Sequence, residues 1–247
     1  MSAAGYLALF AVGFAAAIIN VLAAGGSFLT LPLLIFLGLP PTIANGTNRL
    51  GVLAQNISAV VGFHRHDVLP VRWALSVSGP AVAGAILGVW GALHVSVFAF
   101  RRILSLVMLV MTLATLWSRR GGSVSADPRD PWSPSIVAGF FVTGLYGGFL
   151  QAGVGFLALA MTTLAGLDLV RGNAVKVFAV MLLTLLSLAV FAGSGLVHWP
   201  AGIALALGNL LGGIVGVRIA VLKGQKWLEH LVSATVVLFA VLLWITG

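Results

Sequence analysis

Apolar runs of membrane-spanning length follow one another from end to end of this chain, and that succession leaves few folds open. Bounded by Gly, Pro and charge, ten segments stand out, at approximately 5–23, 27–38, 46–63, 70–90 and 98–117, then 134–150, 154–167, 173–192, 200–218 and 228–246. With 60% hydrophobic and 7% charged residues over 247 positions, the polar surface is too small to solvate a globule. The expected fold is an all-α polytopic membrane protein. Residues 3–23 lack a basic leader and run on into further apolar sequence, which reads as a retained first span rather than a signal peptide.

The chain also states one unusual pattern twice. Gly25-Gly26-Ser27 opens a short apolar segment and is followed about twenty residues later by Asn45-Gly46-Thr47-Asn48-Arg49. Gln151-Ala152-Gly153-Val154-Gly155 opens a second short segment, followed at nearly the same distance by Gly172-Asn173-Ala174-Val175-Lys176. The reading is two homologous repeats, residues 1–117 and 134–247, joined by a polar linker at 118–133. Each repeat has about four long transmembrane helices and one short broken or re-entrant segment, since 27–38 and 154–167 fall short of the roughly 20 residues an upright span requires.

Basic residues choose between two topologies. If all ten segments cross, the repeats are inverted, and ten cations (Arg65, Arg72, Arg119, Arg120, Arg129, Arg171, Lys176, Arg218, Lys223, Lys226) face three (Arg49, Arg101, Arg102). If the short segments dip in and return, the halves run parallel and five cations oppose eight. The positive-inside rule favours inverted repeats with the linker in the cytoplasm and the N-terminus outside.

At 100° per residue, Asn45, Asn48, Arg49, Gln55 and Asn56 share about a third of the circumference of the third segment, and Asn173, Lys176, Thr184 and Ser187 share one face of the eighth. A cation in a membrane helix costs on the order of 2.5–3.5 kcal/mol, so such a stripe lines a cavity or a helix contact. Snorkelling of Arg49 and Lys176 to the interface, with the amides gluing helices, is the competing reading. At the glycine breaks, helix starts with free N–H groups offer anions the positive end of a dipole. Gly79, Gly84, Gly88, Gly208, Gly212, Gly213 and Gly216 are read as close-packing positions.

Several chemistries are excluded or disfavoured. There is no cysteine, and the five acids (Asp67, Asp127, Asp130, Asp168, Glu229) fall in loops or at segment ends, away from any proton relay or cation site. The net charge of +8 is scattered, with no dense patch, so nucleic acid is not a partner. His64-Arg65-His66-Asp67 reads as a solvated loop. Gly193-Ser194-Gly195 with His198 reads as a turn rather than an intramembrane nucleophile. No cofactor, metal site or catalytic residue is expected.

The two passages GGSFLTLPLLIFLGLPPTIANGTNR and GGFLQAGVGFLALAMTTLAGLDLVRGNAVK resemble the TauE/SafE family of sulfite exporters, or toluene sulfonate uptake permeases, in their duplicated order across essentially the whole chain. The resemblance implies a secondary transporter of a bacterial or archaeal plasma membrane that moves sulfite, sulfonates such as sulfoacetate, or related small anions. The expected site lies where the glycine breaks meet the third and eighth segments. Gly25, Gly26, Ser27, Gly153 and Gly155 would supply backbone, Asn45, Asn48, Asn56, Gln151 and Asn173 hydrogen bonds, and Arg49 and Lys176 charge at one common ligand. Alternating access would move one repeat against the other, with a proton or sodium as coupling ion; homo-oligomer formation stays open. An anion channel on the same repeats is the alternative, and an intramembrane enzyme a remote third.

Overall fold

A computed structural model describes residues 1–100, 102, 103, 106 and 128–246, with side chains described as far as Lys223. Most of the fifth segment (98–117) and most of the linker lie outside the described residues. Regular structure among the described residues is helical: α1 (Ala3–Ala23), α2 (Ser27–Phe36), α3 (Pro41–Arg65), α4 (Val71–His94), α5 (Pro134–Phe149), α6 (Val154–Leu164), α7 (Leu169–Gly193) and α8 (Trp199–Thr246). Local chemistry fixes the starts. The Ser2 hydroxyl accepts from the Gly5 amide, Asp168 accepts from the Val170 and Arg171 amides, and Pro41 and Pro134 occupy first-turn positions where no amide donor is missed.

Among the described residues four stretches, Ala3–Ala23, Val71–His94, Leu169–Gly193 and Trp199–Lys223, are long and apolar enough to cross a membrane. At 25 residues α3 reaches about 37 Å, also sufficient length, but it carries the polar stripe. The last helix differs from expectation. It runs unbroken from Trp199 to Thr246 where the sequence reading places two segments, because Lys223-Gly224-Gln225-Lys226 contains no proline and polarity alone does not stop a helix.

The two short helices fold back. With α1 starting at the top of the bundle, α2 returns beside it, so that a Cβ on Gly5 would lie 3.4 Å from Leu37 Cδ2, while Gly26 abuts the Ala16 carbonyl. In the second half α6 returns beside α5: Met161 packs on Gly139, and the Arg129 amide donates to the Ala165 carbonyl at 2.8 Å. The α3 start and the 193–198 turn meet at the top, where His198 N–H donates to Thr47 Oγ1 at 2.9 Å. At the bottom Trp73 Nε1 donates to the Arg129 carbonyl, and Val68, Leu69, Leu169 and Val170 pack against the buried cluster that includes Phe63.

The halves exchange partners. α1 packs on α8, α5 packs on α4, and α3 and α7 pack on each other at the centre. Both exchanged seams are built on glycine. Gly84 and Gly88 abut the Phe141 and Leu145 carbonyls, and Gly208 and Gly212 abut those of Phe10 and Phe14. Gly213 and Gly216 are likewise in close contacts, but Gly79 is not a packing position: it is exposed, with nothing near it.

Candidate functional site

Polar side chains on α3 and α7 point inward at two levels. Arg49 is fully buried, eight residues (about 12 Å) below the top of α3, and Lys176 is 3% exposed, seven residues (about 10 Å) above the bottom of the antiparallel α7. Neither snorkels. Arg49 Nη1 donates to Gly147 O and to Gln151 Oε1, both at 3.0 Å, and Nη2 to Gly148 O at 2.6 Å, with the guanidinium 4.5 Å from the Phe191 ring centre. It thus caps the C-terminus of α5. Lys176 Nζ donates to Asn20 O (2.8 Å), Val21 O (3.2 Å) and Asn173 Oδ1 (2.6 Å), capping the C-terminus of α1. Each cation therefore neutralises the negative dipole end of the broken helix in the other half. Three charge-assisted bonds at roughly 1.5–3 kcal/mol each outweigh an insertion cost of about 2.5–3.5 kcal/mol, so no carboxylate partner is required.

Between these levels lies a cavity of about 10 Å³ for the centre of a water molecule, room for one water, lined by Asn20, Ser27, Asn56, Gln151, Lys176 and the Gly153-Val154-Gly155 turn, with valines closing the rest. The two helix breaks meet beside it. The left-handed turn that ends α1 falls on Ala24 (φ 75°), not on Gly25 or Gly26, and Gly153 (φ 81°) makes the corresponding turn before α6. A Cβ on Gly155 would sit 2.9 Å from that of Ala24, and one on Gly153 2.8 Å from Phe28 Cζ.

Of the expected site residues, Ser27, Asn56, Gln151, Gly153, Gly155 and Lys176 line the cavity. Asn173 holds Lys176 and bonds back to Leu169 O. Asn45 ties the α5–α6 break, donating to Phe149 O and accepting from the Gln151 amide, and Asn48 accepts from Thr30 Oγ1. Gly25 and Gly26 lie in the α1–α2 turn outside the lining, where Gly26 serves close approach to α1. Arg49 does not line the cavity that Lys176 lines. Asn20 is the polar lining residue absent from the sequence reading, although a lone amide inside an apolar helix is a visible signal; it donates to Gln55 Oε1, and Gln55 in turn to Asn56 Oδ1.

On α3 the unsatisfied atoms are of one kind. Among the described residues, the buried side-chain atoms of α3 without a partner are Asn48 Nδ2, Arg49 Nε and Asn56 Nδ2, all donors. Among the described residues no three His, Cys, Asp or Glu side chains group as a metal site would require.

A bundle of apolar spans with two helices broken at a buried, donor-rich centre is the architecture of a membrane transporter. Residues 9–243 match the sulfite exporter TauE/SafE family model, and the chain belongs to that family. It is 29% identical over 228 residues to a probable membrane transporter protein of Haemophilus influenzae, covering 91% of this chain and 88% of that protein. It is 30% identical over 226 residues to the probable membrane transporter protein YfcA of Escherichia coli K12, covering 91% and 84%. No solved structure matches it.

Proposed function

We propose that this transporter is a secondary carrier of small anions, namely sulfite, sulfonates such as sulfoacetate, or related sulfur oxyanions, working by alternating access in a bacterial plasma membrane. The observation that carries the proposal is the set of unpaired buried donors: Asn56 lines the cavity beside Lys176, and its Nδ2 has no acceptor. An unpaired buried donor costs about 1–3 kcal/mol, a cost that an oxyanion arriving beside it would remove. Family membership supports the substrate class. The cavity is too small for an oxyanion as it stands, which supports a carrier that must open rather than a continuous pore.

The halves are two inverted repeats on this reading. The crossed packing of α1 on α8 and α5 on α4 supports the duplication, and the opposite ends at which α1 and α5 begin support the inversion. Of the exposed described cations, six (Arg65, Arg72, Arg129, Arg171, Arg218 and Lys223) lie on the bottom half of the bundle and one, Arg102, follows the top end of α4, which supports a cytoplasmic bottom face. The test is counterflow of labelled sulfite and sulfoacetate in proteoliposomes. Saturable exchange is expected. Ionic conductance without saturation would make the protein a channel, and saturable transport of cations indifferent to sulfite would overturn the anion reading.

A further inference from the structure

Arg49 stands outside the cavity lining, yet one residue joins it to the cavity. A guanidinium is a donor-only group, whereas the amide of Gln151 is ambivalent: a half-turn exchanges its acceptor for its donors. Against Arg49 only one orientation is bonded, with Oε1 accepting from Nη1 at 3.0 Å. The nitrogen then points away from Arg49, with one N–H going to Thr184 Oγ1 at 3.2 Å, a hydroxyl that also reaches Oε1 at 3.5 Å, and the second N–H left over at a residue that lines the cavity. Gln151 and Thr184 are both buried, so no solvent stabilises the turned amide, and Asn45 Oδ1 pins the Gln151 backbone at 3.1 Å. On the opposite wall a second chain runs in the same sense, Asn20 to Gln55 to Asn56, and also ends on a free donor.

We propose that Arg49 is a positioning residue for substrate selection: it holds Gln151 with its amide nitrogen available to the cavity, and so biases the site toward acceptor-only, anionic ligands without touching them. The inference rests on the anion-carrier reading above. Removing the guanidinium frees Gln151 to turn its oxygen inward, which repels an oxyanion.

The test is sulfite affinity of the purified full chain, by calorimetry, in Arg49→Lys, Arg49→Leu, Gln151→Leu, Gln151→Glu and the double Leu variant. Arg49→Leu and Gln151→Leu are each expected to weaken binding about tenfold, the order of one hydrogen bond to a charged group. The double variant should lose no more than either alone, because both act through one amide. Arg49→Lys, still donor-only, should recover most of the loss. Gln151→Glu keeps its bond to Arg49, so it holds α5, but offers the cavity only oxygen; it should bind more weakly than Gln151→Leu, and this comparison decides the matter if Arg49→Leu fails to fold. A double variant that loses the product of the two effects would make Arg49 a direct ligand, and wild-type affinity in the Gln151 variants would reduce it to a helix cap. Either result overturns the proposal. Wild-type protein that binds neither sulfite nor a sulfonate overturns instead the anion reading on which it stands.

Discussion

Lys176 donates to three oxygens, and an entering anion must compete with them for the ammonium. Lys176→Ala is therefore expected to weaken sulfite binding by roughly 1.5–3 kcal/mol, the worth of a charge-assisted bond, and calorimetry on monodisperse protein checks it. Asn56→Asp keeps the oxygen that accepts from Gln55 and removes the free donor, while placing a carboxylate in the cavity with Lys176. It should abolish binding while the melting temperature in detergent holds or rises; unchanged affinity would mean that Asn56 never reaches the ligand. Much of this centre is legible in the sequence. Polar residues recurring at helical period, as from Asn45 to Asn56, have to face inward in lipid, and they do. The partner of each is not legible, because Arg49 and Lys176 end on backbone carbonyls about 100 and 155 residues away, which carry no sequence signature.

The short helices α2 and α6 announce themselves by length, but their direction does not. Doubling back is decided by contacts such as Gly26 on Ala16 and Arg129 on Ala165, made between residues that no local pattern pairs. The glycine seams are legible only as a class, since Gly79 looks like Gly84 in sequence and faces nothing. That contrast gives a matched pair of variants. Gly144→Ala drives a methyl into the Ala81 carbonyl and should cost about 1–3 kcal/mol, by separating α4 from α5. Gly79→Ala, at an exposed helix-interior position, should be neutral or stabilising by about 0.5–1 kcal/mol. Thermal unfolding in detergent compares them, and equal effects would show that the seam yields easily.

At the scale of the molecule, the proposed inversion accounts for the different levels of the two matching cations. Residues at equivalent places in oppositely directed halves fall at opposite levels unless they lie at the midplane, so Arg49 is high and Lys176 low. The cysteine-free chain makes orientation directly testable. With an impermeant maleimide on intact cells, Ser194→Cys at the top should label and His66→Cys and Arg171→Cys at the bottom should not; the reverse pattern would turn the protein over in the membrane.

The exchanged seams tie each broken helix to the opposite half, α1 to α8 and α5 to α4. In genetic terms the two halves form one complementation unit. A lesion on α4 that crowds α5 will find its intragenic suppressors among residues 134–149, and one on α1 will find them in α8, so that compensating changes recur on the far side of the linker rather than beside the original fault.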